Sequence, residues 1–415
     1  MERLHKIGFS KLTSVEDALK KLFSIIKSAQ SFEINTIDSL NYTVANDIKS
    51  IIDIPHFDRS AMDGYALISE DSFGASINAP KYCKNIGINE IGEVSNISLN
   101  NFEVVRISTG AQIPKGADAV VKIEDTEIDG DTIKIYSPVG PGKNITKRAN
   151  DIKKGEIIIQ KGTQLKPEHI ALICSQGINK IIVRKEPKVS IFGTGNELIE
   201  VGKILEKKQI YNSNTPMISN LVKLYGGRVI EENIIEDNKE LIKGSFLNAI
   251  SVSDIIIFTG GTSVGTKDYL PELMDKNAYI LAHGVAMRPG APILIANKED
   301  TLIFCLPGTP VAAYIGFLKF VGPSIKKILN SINLDPREEC IASIKEDVPV
   351  SSIGFLHNLR IRIEKEKTQL IAVPIRLKGS SMISSLTKSD GIVEISPFQE
   401  GLKKADPVLV KLHPK

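Results

Sequence analysis

The sequence predicts a multidomain α/β protein: a central doubly wound α/β domain, two small β domains and a helical or mixed N-terminal domain. Three observations predict it. The runs Val189-Ser190-Ile191-Phe192 and Ile255-Ile256-Ile257-Phe258 are short, apolar and β-branched, pass into glycine-rich loops and alternate with helix-period stretches, as buried parallel strands do. Residues 65–155 and the chain beyond Pro336 carry only short β-type runs broken by Gly, Pro and Asn. Near the start, apolar residues recur at helical spacing. The expected boundaries are 1–50 with 155–187 for the helical or mixed domain, 51–154 for the first β domain, 188–332 for the central domain and 333–415 for the second β domain.

Within residues 14–28, Val15, Ala18, Leu19, Leu22, Ile25 and Ile26 form one apolar face, with Ser14 placed to cap and Asp17 three residues on. The stretch from Asp53 to Leu67 crowds a proline, acids, a serine and Asp63-Gly64 before an apolar run, which reads as a tight turn entering a strand. Val104-Val105-Arg106-Ile107, Ala119-Val120-Val121-Lys122-Ile123 and Thr132-Ile133-Lys134-Ile135-Tyr136 follow as strands. A helix is expected from His169 to Gln176, with Pro167 at its first turn and Gly177 just past its end.

In the central unit Asn214-Thr215-Pro216 is expected to cap a helix bearing Met217, Ile218, Leu221, Val222 and Tyr225, which stops at Gly226-Gly227. A strand over 229–235 ends at Glu236-Asp237, a helix over 239–250 follows, and a strand over 301–306 meets Pro307-Gly308-Thr309-Pro310 and a helix over 311–320. That last strand, turn and helix start form an anion-binding layout.

The chain has 415 residues, 42% hydrophobic and with a net charge of +3, so it is a globular protein with room for several cores and no electrostatic claim on nucleic acid or membrane. The four cysteines are far apart and form no C-x-x-C pair, and the six histidines show no ligand spacing, so neither a disulfide framework nor a zinc site is expected. No apolar run approaches spanning length and Met1-Glu2-Arg3 opens no hydrophobic leader, so a cytoplasmic location is expected.

The chemistry concentrates in two loops, Gly193-Thr194-Gly195-Asn196-Glu197 and 259–268, which begins Thr259-Gly260-Gly261-Thr262-Ser263 and closes through Gly265 on Asp268. Open α/β sheets bind ligands at the carboxyl ends of their strands. Glycine lets the backbone approach a phosphate, hydroxyls donate, and free N–H groups form an anion nest. Each loop ends in a carboxylate, and Asp237 is a third acid just past a strand. Acids beside a phosphate site repel the ligand unless a cation lies between, and Mg²⁺, which needs few protein ligands, suits the place. Arg288, beside Pro289-Gly290, is a guanidinium suited to an oxyanion.

Taken in order, Phe57-Asp58-Arg59-Ser60-Ala61-Met62-Asp63-Gly64-Tyr65-Ala66, Ser108-Thr109-Gly110-Ala111, Thr194-Gly195-Asn196-Glu197-Leu198, Gly260-Gly261-Thr262-Ser263-Val264-Gly265 with Asp268-Tyr269, Arg288-Pro289-Gly290 and Leu306-Pro307-Gly308-Thr309-Pro310 resemble the molybdopterin molybdenumtransferase family, which includes bacterial MoeA and the gephyrin E domain. The resemblance runs along nearly the whole chain. It implies a central domain similar to the MogA fold, a homodimer whose cleft is completed by the partner's β domain, and insertion of molybdate or tungstate into adenylylated molybdopterin with release of AMP, assisted by Mg²⁺.

Carried over by matching position, Glu197, Asp237 and Asp268 would serve the metal and nucleotide phosphates. Thr194, Gly195 and the loop with Gly260, Gly261, Thr262, Ser263 and Gly265 would hold the pterin and phosphate end, with Pro307 and Gly308 beside it. Asp58, Asp63 and Thr109 would enter from the second subunit, and Arg288 with Ser380 would receive the oxyanion. Transient contact with an adenylyltransferase of the MogA or MoaB type is a further implied partnership. Many members carry Lys-Pro-Gly-Lys-Pro where this chain has Arg288-Pro289-Gly290-Ala291-Pro292, so the second cation is absent at Ala291 and the choice of anion stays open. The alternatives are a molybdopterin adenylyltransferase and a non-catalytic scaffold of the gephyrin type.

Overall fold

The computed structural model describes residues 12–261, 269–375 and 379–415. Its centre is a six-stranded sheet. We label the elements of this domain β1 (Lys188–Thr194), α1 (Asn214–Leu224), β2 (Arg228–Ile235), α2 (Lys239–Ile250), β3 (Ile255–Thr259), α3 (Tyr269–Asn277), β4 (Tyr279–His283), β5 (Leu294–Lys298), β6 (Thr301–Leu306) and α4 (Pro310–Gly316). The spatial order is β2-β1-β3-β6-β5-β4. β2, β1, β3 and β6 run parallel, β5 is antiparallel to β6, and β4, antiparallel to β5, points the same way as the other four.

Alternation along the strands sends apolar side chains to both faces, as a sheet covered by helices on each side requires. Val189, Ile191, Ile255 and Ile257 join Ile218, Leu221 and Val222 of α1 in one core. Phe192, Ile256 and Phe258 join Ile242 and Phe246 of α2 and Leu270 and Met274 of α3 in the other. The Phe192 and Phe258 rings lie 5.3 Å apart on neighbouring strands, in register. The chain leaves β1 for β2 on one side and then crosses to β3 on the other, so the order reverses between β1 and β3. Crevices at such reversals are where open α/β sheets take ligands.

The N-terminal helix Val15–Ile25 packs Ala18 and Leu22 onto the first core, and Ser14 caps it by accepting from the Asp17 N–H. The helix after β6 differs from expectation in length: α4 passes through a π-turn at Phe317–Val321 and continues as Gly322–Ile328. The wider turn accommodates Pro323, which has no N–H to give to an α-helical ladder. The cap of α1 is also corrected. The N-cap position is Ser213, and Asn212 Oδ1 accepts from both the N–H and the hydroxyl of Thr215.

The C-terminal strands Glu339–Ile344, Leu356–Glu366, Gln369–Pro374, Gly391–Ile395 and Pro407–Leu412 pair all the way round, because Leu356–Glu366 bonds both Gln369–Pro374 and Gly391–Ile395. The result is a closed barrel around Ala342, Ile361, Val393 and Val410. Met287–Arg288 adds to it in parallel with Leu356 and His357.

At the entry to that barrel Arg337 donates to both carboxylate oxygens of Asp335, each at 2.7 Å. Burial alone would raise the Asp335 carboxyl, but Arg337 and Lys411 outweigh it and hold the group near 2, below its ordinary 3.8. A depressed folded-state pKa stabilises above the unfolded value and loses that contribution as pH falls towards the folded one. We expect the stability difference between wild type and Asp335→Asn to shrink by about 2 kcal/mol as pH falls from about 5 to 2, because the gap between the two pKa values converts at about 1.4 kcal/mol per unit. Urea unfolding of both proteins across that range measures it, and a pH-independent difference would refute the pairing.

The chain divides into two compact units: one holds the residues up to Asn46, Lys161–Ile170 and Asn179–Lys415, and the other holds Asp47–Gln160 and Ala171–Ile178. The second unit is built on a six-stranded sheet in the order Ala119–Lys122, Gly64–Leu67, Glu103–Ile107, Lys81–Asn89, Thr132–Ile135, Thr126–Asp129. Its core contains Tyr65, Leu67, Val104, Val121 and Ile133. Gly64 is required there, since a Cβ would lie 1.9 Å from the Val121 carbonyl oxygen. Among the described residues no helix is long and apolar enough to cross a membrane.

Candidate functional site

The parallel strands bring their carboxyl ends to one rim. Gly193 lies opposite Thr259, Thr259 opposite Leu306, and Thr194 opposite Ile235. A cavity of ≈ 660 Å³ opens there, lined by Thr194, Gly195, Glu197, Asp237, Gly260, Gly261, Arg288, Pro307, Gly308 and Ser380 among others. All ten are positions that sequence reasoning assigned to the site. Thr262, Ser263, Gly265 and Asp268 lie outside the described residues.

Glycine is needed at this rim for contact reasons. At Gly260, φ is +103° and a Cβ would stand 2.4 Å from the Thr194 carbonyl oxygen and 2.9 Å from its Oγ1. A Cβ at Gly308 would touch Gly260 Cα at 3.4 Å. The loops after β1, β3 and β6 therefore close on one another through bare backbone, and a ligand can reach main-chain groups that a side chain would cover.

The acids are positioned by the loops that carry them. The Glu197 carbonyl accepts from Ile210 N at 2.8 Å, and Leu198–Ile199 runs parallel to Ile210–Tyr211. Its carboxylate folds back so that a Cβ on Gly195 would lie 2.7 Å from either oxygen. Asn196 Oδ1 accepts from Asp237 N at 3.0 Å, which ties the loop after β2 to the loop after β1. Glu197 and Asp237 thus face one cavity, and their oxygens are the hard ligands a Mg²⁺ ion takes. Among the described residues no three His, Cys, Asp or Glu side chains form a metal cluster, and the third proposed ligand, Asp268, is not among them.

Arg288 lines the same cavity, its guanidinium 4.4 Å from the Phe355 ring centre and donating to Ser351 Oγ at 3.1 Å. The ring and the hydroxyl hold a cation that the barrel edge delivers to the sheet rim. At the start of α4 the layout differs from the expected open anion site, because the Ser380 carbonyl accepts from Val311 N at 3.0 Å.

Sequence reasoning passed over Asn196, Asn212 and Asn214. Asn214 Nδ2 donates to the Gly308 carbonyl at 2.7 Å, which fixes the third glycine loop. Two buried polar atoms at the cavity, Thr194 Oγ1 and Asn214 Oδ1, have no hydrogen-bond partner among the described residues. Buried polar groups are nearly always paired, so a rim with two such atoms is built for a polar guest. The sequence signal at Asn214 is the run Asn214-Thr215-Pro216, which reads as a helix cap.

Asp58, Asp63 and Thr109 belong to the other unit. There the two sequence motifs meet: Asp63 accepts from Thr109 N at 2.7 Å and from its Oγ1 at 3.1 Å, and Gly110 N donates to the Ser60 carbonyl. Thr109 holds the Asp63 carboxyl below its usual range. Asp58 accepts from Arg148 N at 2.8 Å and Lys147 Nζ at 2.9 Å. Burial acts to raise its pKa, and these donors outweigh it and lower it.

Known proteins share this organisation. Residues 13–177 match the MoeA N-terminal region (domains I and II), 190–327 a probable molybdopterin-binding domain, and 348–412 the MoeA C-terminal region (domain IV). The molybdopterin molybdenumtransferase of Staphylococcus epidermidis is 34% identical over 400 residues, 96% of this chain and 95% of the relative. The chain belongs to the MoeA family. It is a transferase of molybdenum cofactor biosynthesis. The enzyme of the same name from Staphylococcus aureus is 33% identical over 94% of this chain and 93% of its own. Among solved structures, a molybdopterin biosynthesis moeA protein from Pyrococcus horikoshii OT3 superposes with a TM-score of 0.85 at 31% identity, covering 97% of this chain and all of that one. MoeA family membership accounts for the three six-stranded sheets of the described residues at once, since the flanking β regions match as well as the central domain.

Proposed function

We propose that this chain inserts molybdate or tungstate into adenylylated molybdopterin and releases AMP, in a Mg²⁺-dependent reaction at the rim of the central sheet. The observation that carries the reading is the meeting of Glu197, Asp237, the bare glycine loops and Arg288 around one cavity. In this reading Glu197 and Asp237, with Asp268, hold Mg²⁺, and the bound ion supplies Lewis acidity to the phosphoanhydride. The loops at Gly195, Gly260 and Gly308 admit the phosphates to main-chain donors. Arg288 takes up anionic charge, and Ser380 lines the same cavity. Arg288 acts without the second cation that many relatives place at the position of Ala291, so the pocket itself does not decide between molybdate and tungstate. Cleavage of the adenylate makes insertion effectively irreversible.

A homodimer belongs to the same proposal, with Asp58, Asp63 and Thr109 of a second copy completing the cleft. So do a cytoplasmic location and transient delivery of the substrate by an adenylyltransferase of the MogA or MoaB type. The test is incubation of the purified protein with adenylylated molybdopterin, Mg²⁺ and either molybdate or tungstate, following AMP. Anion- and Mg²⁺-dependent AMP release is expected. Pyrophosphate release from MgATP and molybdopterin would instead make the chain an adenylyltransferase, and a folded protein inert in both assays would make it a scaffold.

A further inference from the structure

We infer that Asn214 reads the pterin of the ligand by accepting a hydrogen bond from one of its ring or amino N–H groups, so that it is a specificity residue of the site. The inference rests on the proposed function for the presence of a pterin, and on the structure for the position and polarity of the acceptor. Asn214 is 9% exposed and lines the sheet-rim cavity. Its amide orientation is set by its neighbour. Nδ2 donates to the Gly308 carbonyl, which can only accept, so the other end of the amide must be the oxygen. That oxygen is buried and has no partner among the described residues.

An acceptor in this state asks for a donor. Phosphate, molybdate and tungstate oxygens offer none when ionised, so the oxyanion parts of the ligand cannot satisfy it. The pyrimidinone edge of a pterin carries an amino group and a ring N–H. The placement favours the pterin over adenine as the source: Asn214 anchors Gly308 and Gly308 packs on Gly260, whose loop the family resemblance implies for the pterin and phosphate end. A buried acceptor left unpaired by the wrong ligand discriminates more strongly than an apolar contact does.

The test compares wild type with Asn214→Ala in equilibrium binding of three probes: a 6-substituted pterin monophosphate, AMP and inorganic pyrophosphate. Losing one hydrogen bond to a buried acceptor should weaken pterin monophosphate binding about tenfold. Pyrophosphate has no N–H group, so its binding reports only the loss of the Gly308 anchor and should fall by less than about threefold, which also shows that the variant is folded at the site. An equal loss for pterin and pyrophosphate would make Asn214 a mere anchor of Gly308 and overturn the inference. So would a loss confined to AMP, or no loss at all. Failure of wild type itself to bind the pterin probe would sink the proposed function together with this inference, whereas unchanged pterin binding in the variant would sink this inference alone.

Discussion

Replacing Glu197 with glutamine lowers the rate of AMP release by about 10²-fold or more, the scale on which single electrostatic contacts to a reacting phosphoryl group count. The side chain is exposed and makes no ion pair among the described residues, so its removal costs the fold little, within about 0.5 kcal/mol. Glutamine keeps the length and the path of the chain back towards Gly195, where the two carboxylate oxygens stand. It removes the charge alone. The Glu197 backbone is held independently by Ile210 N, so the loop keeps its course. Single-turnover AMP release, read beside a thermal unfolding curve, separates the two effects. A raised Mg²⁺ requirement with an unshifted melting temperature supports a metal ligand. Turnover within about threefold of wild type at low Mg²⁺ would remove Glu197 from that role, since loss of a charged ligand must weaken ion binding.

The elements that can be read from the sequence are those whose signal is local. β1 and β3 announce themselves because strands buried on both faces are apolar at every position, and Val189-Ser190-Ile191-Phe192 and Ile255-Ile256-Ile257-Phe258 come close to that. The Ser14 cap and the helix Pro167–Ser175 follow from side-chain and proline chemistry a few residues in reach. The carboxyl-end site follows in turn, because parallel strands joined by helices must present their following loops on one rim. Closure of the C-terminal barrel is different. It depends on Leu356–Glu366 finding Gly391–Ile395 across an intervening strand, and a period-two pattern fixes which face a residue takes but not which strand lies beside it. The pairing of Met287–Arg288 with that barrel is hidden for the same reason, although it sets where the Arg288 guanidinium goes. Asn214 was passed over because asparagine before a helix has a sufficient local explanation, and its hydrogen bond to Gly308 spans 94 positions of sequence.

Substituting Gly260 with alanine destabilises the central domain by about 3 kcal/mol, the sum of a φ that L-residues rarely adopt and a methyl group forced into a packed contact. The clash is with backbone: the new Cβ would lie 2.4 Å from the Thr194 carbonyl oxygen. Neither side can yield by changing rotamer. Relief requires the ends of β1 and β3 to part where Gly193 and Thr259 are in register, and above them the Gly260 N–H bond to the Leu306 carbonyl at 3.1 Å must stretch. The separation opens the floor of the cavity, so pyrophosphate binding should fall together with stability. Gly244 supplies the control. It lies within helix α2 with nothing within 4 Å of an added Cβ, so Gly244→Ala should raise stability by up to about 1 kcal/mol and leave binding unchanged. Urea unfolding and pyrophosphate titration of both variants decide the matter. A Gly260→Ala protein with wild-type stability and affinity would mean that the loops after β1 and β3 do not touch, and with that contact would go the main-chain cradle on which phosphate binding at this rim depends.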